Sequence, residues 1–243
     1  MATVLLHVTC VSKGIYNAVS AMQANSRRVE IIADNLANLS TTAFKRRTSA
    51  VGMFENALGG QKQPLLKTHT SWDFDQGVLV RNGDPYSLAI YGNGFFAVEG
   101  KDGELYTRNG NFHVDEAGAI KTEEGLPLAW ERKSGAIDPH GEPVVIGTDG
   151  TITQSRQQLG KLRIVDFDDR QRLQIGERGF FRAPKGVRTR PADGEVHQGA
   201  LESSNSNAVS EVVELVEAQR AFELASNVLS QNDQSYRRLT RQI

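Results

Sequence analysis

Two long stretches, one at each end of the chain, place apolar residues at alternating spacings of four and three. In the first, read from about Ser12 to Leu39, the series is Ile15, Val19, Met22, Ser26, Val29, Ala33 and Leu36, with Ile32 widening the stripe. In the second, from Ala208 to Arg241, it is Leu215, Ala218, Phe222, Ala225, Leu229, Asn232, Tyr236 and Leu239. A mean step of 3.5 residues is the period of a helix–helix seam rather than of a helix resting on a sheet. The spacing predicts two terminal helices able to pair with each other and with copies of themselves. For the first stretch taken alone, an amphipathic helix packed on its own domain is the alternative reading. Asn232 is the polar member of its seam. It either fixes register at a cost in stability or faces water near a frayed end.

Between the helices the pattern changes. Ser40-Thr41-Thr42 is poor helix interior, because short hydroxyl side chains compete for backbone partners. A weak helical segment over 48–58 is stopped by Gly59-Gly60 and Pro64. Residues 65–200 read as β-structure. Val78-Leu79-Val80, Ser87-Leu88-Ala89-Ile90, Gly94-Phe95-Phe96-Ala97-Val98, Val144-Val145-Ile146 and Lys161-Leu162-Arg163-Ile164-Val165 are short β-prone runs punctuated by glycines. Asp102-Gly103, Asn109-Gly110 and Asp149-Gly150 signal hairpins, and 183–196 reads as a loop. Strands without βαβ alternation suggest a sandwich or barrel-like sheet. The expected class is α+β: a mainly-β centre with long terminal α-helices that pair in a coiled coil. The expected division is a disordered tail over 1–11, an assembly helix and linker over 12–64, a β-rich region over 65–200 and a second assembly helix over 201–243. Ser12 is the expected cap of the first helix, and Asn205 to Asn207 offer caps for the second.

Few residues suggest chemistry. The net charge of −1 gives no electrostatic case for nucleic acid. The single cysteine, Cys10, excludes an intrachain disulfide and a cysteine-based zinc site. No run of about 18 apolar residues is present, and Val4-Leu5-Leu6 lacks the flanks of a secretory signal. The five histidines share no metal-ligand spacing. Gly92-Asn93-Gly94 lacks the third glycine and helix start of a phosphate loop and reads as a tight turn. Lys45-Arg46-Arg47 reads as a solvated face. Asp166, Asp168 and Asp169 could serve as paired acid–base carboxylates, and Asp75 beside Trp72 could serve a sugar site. Solvated turns account for both clusters more simply. No catalytic residue, cofactor, metal or small-molecule substrate is therefore expected.

Asn35-Leu36-Ala37-Asn38, Thr41-Thr42 and Ala43-Phe44-Lys45, together with Leu201-Glu202-Ser203-Ser204-Asn205-Ser206-Asn207 and Ala218-Gln219-Arg220-Ala221-Phe222-Glu223, resemble the terminal motifs of the bacterial flagellar axial proteins. The middle is similar too, through Leu88 to Val98, Tyr106 to Phe112, and Asp149-Gly150-Thr151-Ile152 with Leu159-Gly160-Lys161-Leu162. The resemblance is to the basal-body rod proteins in particular. Gly14-Ile15-Tyr16 and the compact length favour the proximal rod type over the distal rod and hook types. It implies a self-assembling structural subunit that transmits torque. The implied partners are copies of itself, other rod and hook subunits, and the export apparatus. Passage without a cleaved leader to the periplasm-spanning basal body is implied as well. Interface residues implied by motif and seam together are Ile15, Val19, Met22, Val29, Asn35, Leu36, Asn38, Phe44, Asn205, Leu215, Arg220, Phe222 and Leu229. Three departures stand out. Ala43 replaces a usual Gly and would strain a left-handed backbone, Ser206 replaces a Val, and the residues before Lys13 are unusual. Two rivals remain: a wall-active enzyme using Asp166, Asp168 or Asp75, and a secreted adhesin or scaffold sharing the architecture.

Overall fold

A computed structural model describes residues 2–58, 61–176 and 179–240. Within these, the side chains of 2–13, 51, 53–58, 61–68, 236, 239 and 240 lie outside the description, and with them the Val4-Leu5-Leu6 run, Tyr236 and Leu239 of the seam. The chain forms two compact units. The first comprises Met1–Ala37, Arg47–Asp73 and Asn207–Ile243, the second Asn38–Arg46 and Phe74–Ser206.

The first unit holds two helices, α1 (Ala2–Ala37) and α2 (Ala208–Thr240), and a two-stranded ribbon of β1 (Arg47–Leu58) and β2 (Gln61–Trp72). The helices run antiparallel in a constant register. Asn35 meets Glu211, Arg28 lies 3.8 Å from Glu217, and a Cβ on Gly14 would sit 3.2 Å from the Asn232 amide nitrogen. α1 starts ten residues before the expected Ser12, so helix takes in the segment read as a tail, and Ser12 lies inside the helix rather than capping it. Asn207 caps α2, its Oδ1 accepting from the amides of Val209 and Ser210 at 3.0 and 3.2 Å.

The weak helix expected over 48–58 is instead strand β1. It pairs antiparallel with β2 along its whole length, from Arg47 opposite Trp72 to Leu58 opposite Gln61. Hydroxyl residues face each other near its base, with Thr48 Oγ1 2.8 Å from Ser71 Oγ, and such cross-strand pairs favour a ribbon. Pro64 is tolerated because both outer edges of a two-stranded ribbon lack ladder partners. The ribbon packs on α1, so that helix is covered by two neighbours.

The second unit is the β-structure. Its strands are β3 (Leu79–Arg81), β4 (Leu88–Tyr91), β5 (Phe95–Gly100), β6 (Gly103–Thr107), β7 (Phe112–Val114), β8 (Ile120–Thr122), β9 (Trp130–Lys133) and β10 (Val145–Ile146). There follow β11 (Thr151–Gln154), β12 (Gln157–Leu162), β13 (Ile164–Phe167), β14 (Gln174–Ile175), β15 (Phe181–Arg182), β16 (Thr189–Pro191), β17 (Glu195–Gln198) and β18 (Ala200–Glu202). A six-stranded sheet has the order β14-β15-β6-β5-β13-β16 and a four-stranded sheet β10-β11-β12-β9, beside the pairs β17-β4, β18-β3 and β7-β8.

β5 lies inside the larger sheet and is buried on both faces, which is why its sequence is a continuous apolar run rather than an alternation. Phe96 and Val98 enter the aliphatic core with Leu88, Ile152 and Leu162. Phe95 points the other way, into an aromatic cluster with Phe74, Phe167 and Phe181 at centroid distances of 5.5–5.8 Å.

Asp102-Gly103 and Asp149-Gly150 turn hairpins as expected. Asn109-Gly110 does not. It links β6 to β7, and its glycine is required by contact, since a Cβ there would fall 1.5 Å from the Leu88 carbonyl oxygen. The expected loop at 183–196 contains β16, whose Pro191 sits on an outer strand that lacks a second neighbour.

β13 and β16 are pinned by Asp166. Its carboxylate accepts from Arg170 Nε and Nη2 at 2.7 and 2.8 Å and from Arg190 Nη2 at 2.8 Å. Burial raises its pKa, but these charged hydrogen bonds outweigh that and hold it at about 2, below the ordinary 3.8. A depressed carboxylate contributes stability above its unfolded value, and that contribution is lost as pH falls toward the folded one. Asp166→Asn is therefore expected to cost about 2 kcal/mol at neutral pH. In urea unfolding, the gap between wild type and variant should close between about pH 4 and pH 2. A gap independent of pH would remove the ion pairs as its cause.

Candidate assembly site

The N-terminal and C-terminal motif residues meet at two places, one in each unit. In the helical unit the meeting point is Asn35, fully buried near the end of α1. Its Oδ1 accepts from the Arg47 amide at 2.9 Å, and its Nδ2 donates to the Arg47 carbonyl at 2.8 Å. The same Nδ2 lies 3.1 Å from Glu211 Oε2, one turn into α2 and equally buried. One carboxamide thus joins the end of α1, the start of β1 and the start of α2. Arg47 adds an ion pair to Asp34 at 3.0 Å and stacks over Trp72 at 5.3 Å. A carboxamide suits this place because it can satisfy a backbone donor and a backbone acceptor at once.

In the β-rich unit the meeting point is Lys45 with Glu202. Both side chains are buried, and Lys45 Nζ lies 2.6 Å from Glu202 Oε1 and donates to the Asp75 carbonyl at 2.8 Å. Glu202 Oε1 also accepts from the Gly77 amide at 2.9 Å, and Arg108 Nη1 stands 3.8 Å from Oε2. Burial pulls the Arg108 pKa below the usual guanidinium value, with Glu202 opposing that shift. Asn205 repeats the role of Asn35: Oδ1 accepts from the Arg46 amide at 2.7 Å, and Nδ2 donates to the Asp75 carbonyl at 3.0 Å. The Ala43 amide donates to the Glu202 carbonyl at 2.7 Å, and the Asn205 amide to the Phe44 carbonyl at 3.3 Å. Asn38 accepts from the Thr41 hydroxyl at 3.0 Å.

Two of the three departures, those inside the motifs, have visible consequences. Ala43 has a φ of 56°, in the left-handed region where a Cβ costs about 1–2 kcal/mol. The Ser206 hydroxyl is buried with no hydrogen-bond partner among the described residues, a loss of about 1–3 kcal/mol that a Val would avoid.

The seam residues divide. On α2, Glu211, Ala218 and Ala225 are buried, and Leu215, Leu229 and Asn232 are half-buried on the same side, while Phe222 at its margin is 36% exposed and Arg220 is exposed. On α1 the buried arc runs through Ala18, Ala24, Ile31, Ile32 and Asn35. Ile15, Met22, Val29 and Leu36 are half-buried at its margin, and Val19 is exposed. The arc is turned from the expected seam because the β1–β2 ribbon covers α1 as well as α2 does.

Lys45, Arg47, Glu202 and Glu211 carry the two meeting points, yet the periodicity does not single them out. A charged residue inside a motif otherwise made of small polar residues was the available signal. Two of the suspected catalytic carboxylates have structural partners. Asp166 stays ionised between two guanidinium groups, and Asp169 caps a 3-10 turn by accepting from the Gln171 amide, while at Asp75 it is the backbone carbonyl that accepts from Lys45 and Asn205. A general acid needs a proton near working pH, which Asp166 does not hold.

Removing one partner of a buried ion pair costs about 3–5 kcal/mol, because the other charge is left uncompensated. Lys45→Met should destabilise by that amount in chemical unfolding, and adding Glu202→Leu should restore part of it. Equal and additive losses in the two variants would show that the residues are not coupled.

Three family models match the chain: the flagella basal body rod protein model over residues 15–45, the flagellar hook protein FlgE/F/G D1 domain over 89–154, and the flagellar basal body rod FlgEFG protein C-terminal model over 197–242. The chain is 32% identical over 223 residues to a flagellar basal-body rod protein FlgF of Caulobacter vibrioides, covering 88% of this chain and 91% of that one. It is 34% identical over 234 residues to the FlgF of Mesorhizobium japonicum, covering 91% and 93%. With a flagellar basal-body rod protein FlgG of Agrobacterium fabrum it shares 30% identity over 254 residues, covering 89% and 94%.

Proposed function

The chain belongs to the flagellar basal-body rod protein family, and we propose that it is a structural subunit of the bacterial flagellar rod, self-assembling through its terminal helices. One observation carries the assembly half of this reading: α2 is apolar on two opposite faces. One face meets α1 through Ala218 and Ala225. On the other, Val209, Val212, Val213 and Val216 are exposed, Val209 at 74% and Val213 at 54%. At 100° per residue these valines span an arc of about 100°, centred opposite Glu211 and Ala218. Contiguous exposed apolar residues over the first turns of a helix mark an interaction surface. A second copy is the occupant that a self-assembling subunit supplies, and repeated head-to-tail contact builds an open filament.

The finer parts of the proposal rest on the same residues. The four–three spacing and the constant antiparallel register support a two-stranded coiled coil of α1 and α2. Compact length and Gly14-Ile15-Tyr16 support the proximal rod over the distal rod and hook. The partners are copies of the chain, neighbouring rod and hook subunits, and the export apparatus, which passes the chain without a cleaved leader to the basal body. Its role is structural rather than enzymatic.

Two experiments test this. Basal bodies isolated from a strain lacking the gene should show missing or stunted rods without hooks in electron micrographs. Intact, rotating flagella would overturn the function. In the complemented strain, Val213→Asp with Val216→Asp should abolish swarming while circular-dichroism melting of the purified chain stays within about 0.5 kcal/mol of wild type. Normal swarming would sink the outer valine face as the assembly surface.

A further inference from the structure

Three Asn-Gly dipeptides lie in the β-rich unit: Asn82-Gly83, Asn93-Gly94 and Asn109-Gly110. The side-chain amide of an Asn followed by Gly is open to attack by the next backbone nitrogen, because no Cβ shields that nitrogen. Reaction requires a free carboxamide and a free nucleophile in near-attack geometry.

Two of the three dipeptides are blocked. Asn82 Nδ2 donates to Ser87 Oγ at 2.8 Å, its Oδ1 accepts from the Asp84 amide at 3.2 Å, and the Gly83 amide donates to the Gly199 carbonyl at 3.1 Å. Asn109 Oδ1 accepts from the Asn111 amide at 3.1 Å, and Gly110 is wedged against the Leu88 carbonyl. Asn93 is different. It is exposed on the turn between β4 and β5, and no hydrogen bond among the described residues holds its carboxamide or the Gly94 amide. Gly94 has a φ of 140°, a backbone shape that keeps a glycine there, since a Cβ would meet Ala192 Cβ at 2.7 Å.

We propose that Asn93 is a site of spontaneous covalent modification, deamidating in the folded protein while Asn82 and Asn109 stay intact. The Gly94 nitrogen attacks Asn93 Cγ, a C–N bond forms, and the carboxamide nitrogen leaves as ammonia. Water then opens the resulting succinimide at either carbonyl, giving aspartate or isoaspartate; no oxidant or reductant takes part. Either product adds a negative charge beside a segment that already carries Asp193 and Glu195. Isoaspartate also inserts a methylene into a turn with no room for one. A Cβ on Gly194 would fall 2.4 Å from the Asn93 carbonyl oxygen, and the Gly92 carbonyl accepts from Arg108 Nη2. The modification therefore loosens the anchoring of Arg108, the guanidinium that faces Glu202.

The test is peptide mass mapping of the purified full chain after prolonged incubation in mildly alkaline buffer, with a urea-unfolded sample in parallel. In the folded sample, amide-to-acid conversion should be on the order of tenfold or more faster at Asn93 than at Asn82 or Asn109. In urea the three should convert at similar rates, and Asn93→Gln should remove the folded-state product. An unmodified Asn93 in the folded chain over a time that converts it in urea would overturn the proposal. So would equal conversion at all three sites in the folded chain.

Discussion

The carboxamide of Asn35 is the contact on which the helical unit depends. A helix that ends, a strand that begins and a second helix that begins from the far end of the chain must all be held at one buried point. Each of these termini carries backbone groups without partners of their own. A single neutral side chain that donates and accepts settles the Arg47 amide and carbonyl and still reaches Glu211. A charged residue could not do both, and an apolar one would leave the Arg47 backbone unsatisfied in the interior. Asn205 solves the same problem in the β-rich unit with the same group, between the Arg46 amide and the Asp75 carbonyl. Two motifs about 170 residues apart thus share one chemical device, which is why both contain asparagines among small polar residues.

Much of the architecture was legible in the sequence, for reasons that can be named. The terminal helices announce themselves because a 3.5-residue step repeated over many turns has few other uses. β5 was legible as a strand because its apolar run is short, β-prone and bounded by glycines; that both its faces are buried follows from its place inside the sheet. The ribbon of β1 and β2 was not. Its residues are individually indifferent, and twelve pairs of strand partners decide the outcome, a non-local effect that outweighs weak local propensity. The buried arc of α1 was missed for a related reason: periodicity shows that a face exists, whereas which arc is covered depends on how many neighbours cover it. Lys45, Glu202 and Arg108 were illegible as a cluster, because burial of a charge is a property of the folded surroundings rather than of spacing.

A subunit built this way faces a conflict between staying soluble and being able to assemble. Exposed valines on α2 invite any apolar partner, and a helix pair with its outer face uncovered gains little from its own seam. Small side chains on the inner face sharpen this. Ala18 on α1 and Ala218 and Ala225 on α2 let the helices approach closely but bury little area each. At about 25 cal/mol per Å² of apolar surface, alanines yield much less than leucines would in the same positions. The alanine positions therefore contribute less burial than the isoleucines and leucines beside them, and the exposed valines add apolar surface still to be buried.

That distribution ties the proposed assembly to the outer face of α2. In the proposed assembly, a neighbour that covers the outer valines adds its buried apolar area to what the inner seam supplies. The polar anchors are placed to match. Asn35 and Glu211 fix where the two helices begin to run together, at the end nearest the β1–β2 ribbon, where the ribbon already covers α1. Near the other end, Gly14 faces Asn232, a pairing that adds little buried apolar area and leaves the far turns dependent on what surrounds them. In the proposed assembly, a helix pair anchored at one end keeps its register while its outer valines remain available to the next subunit.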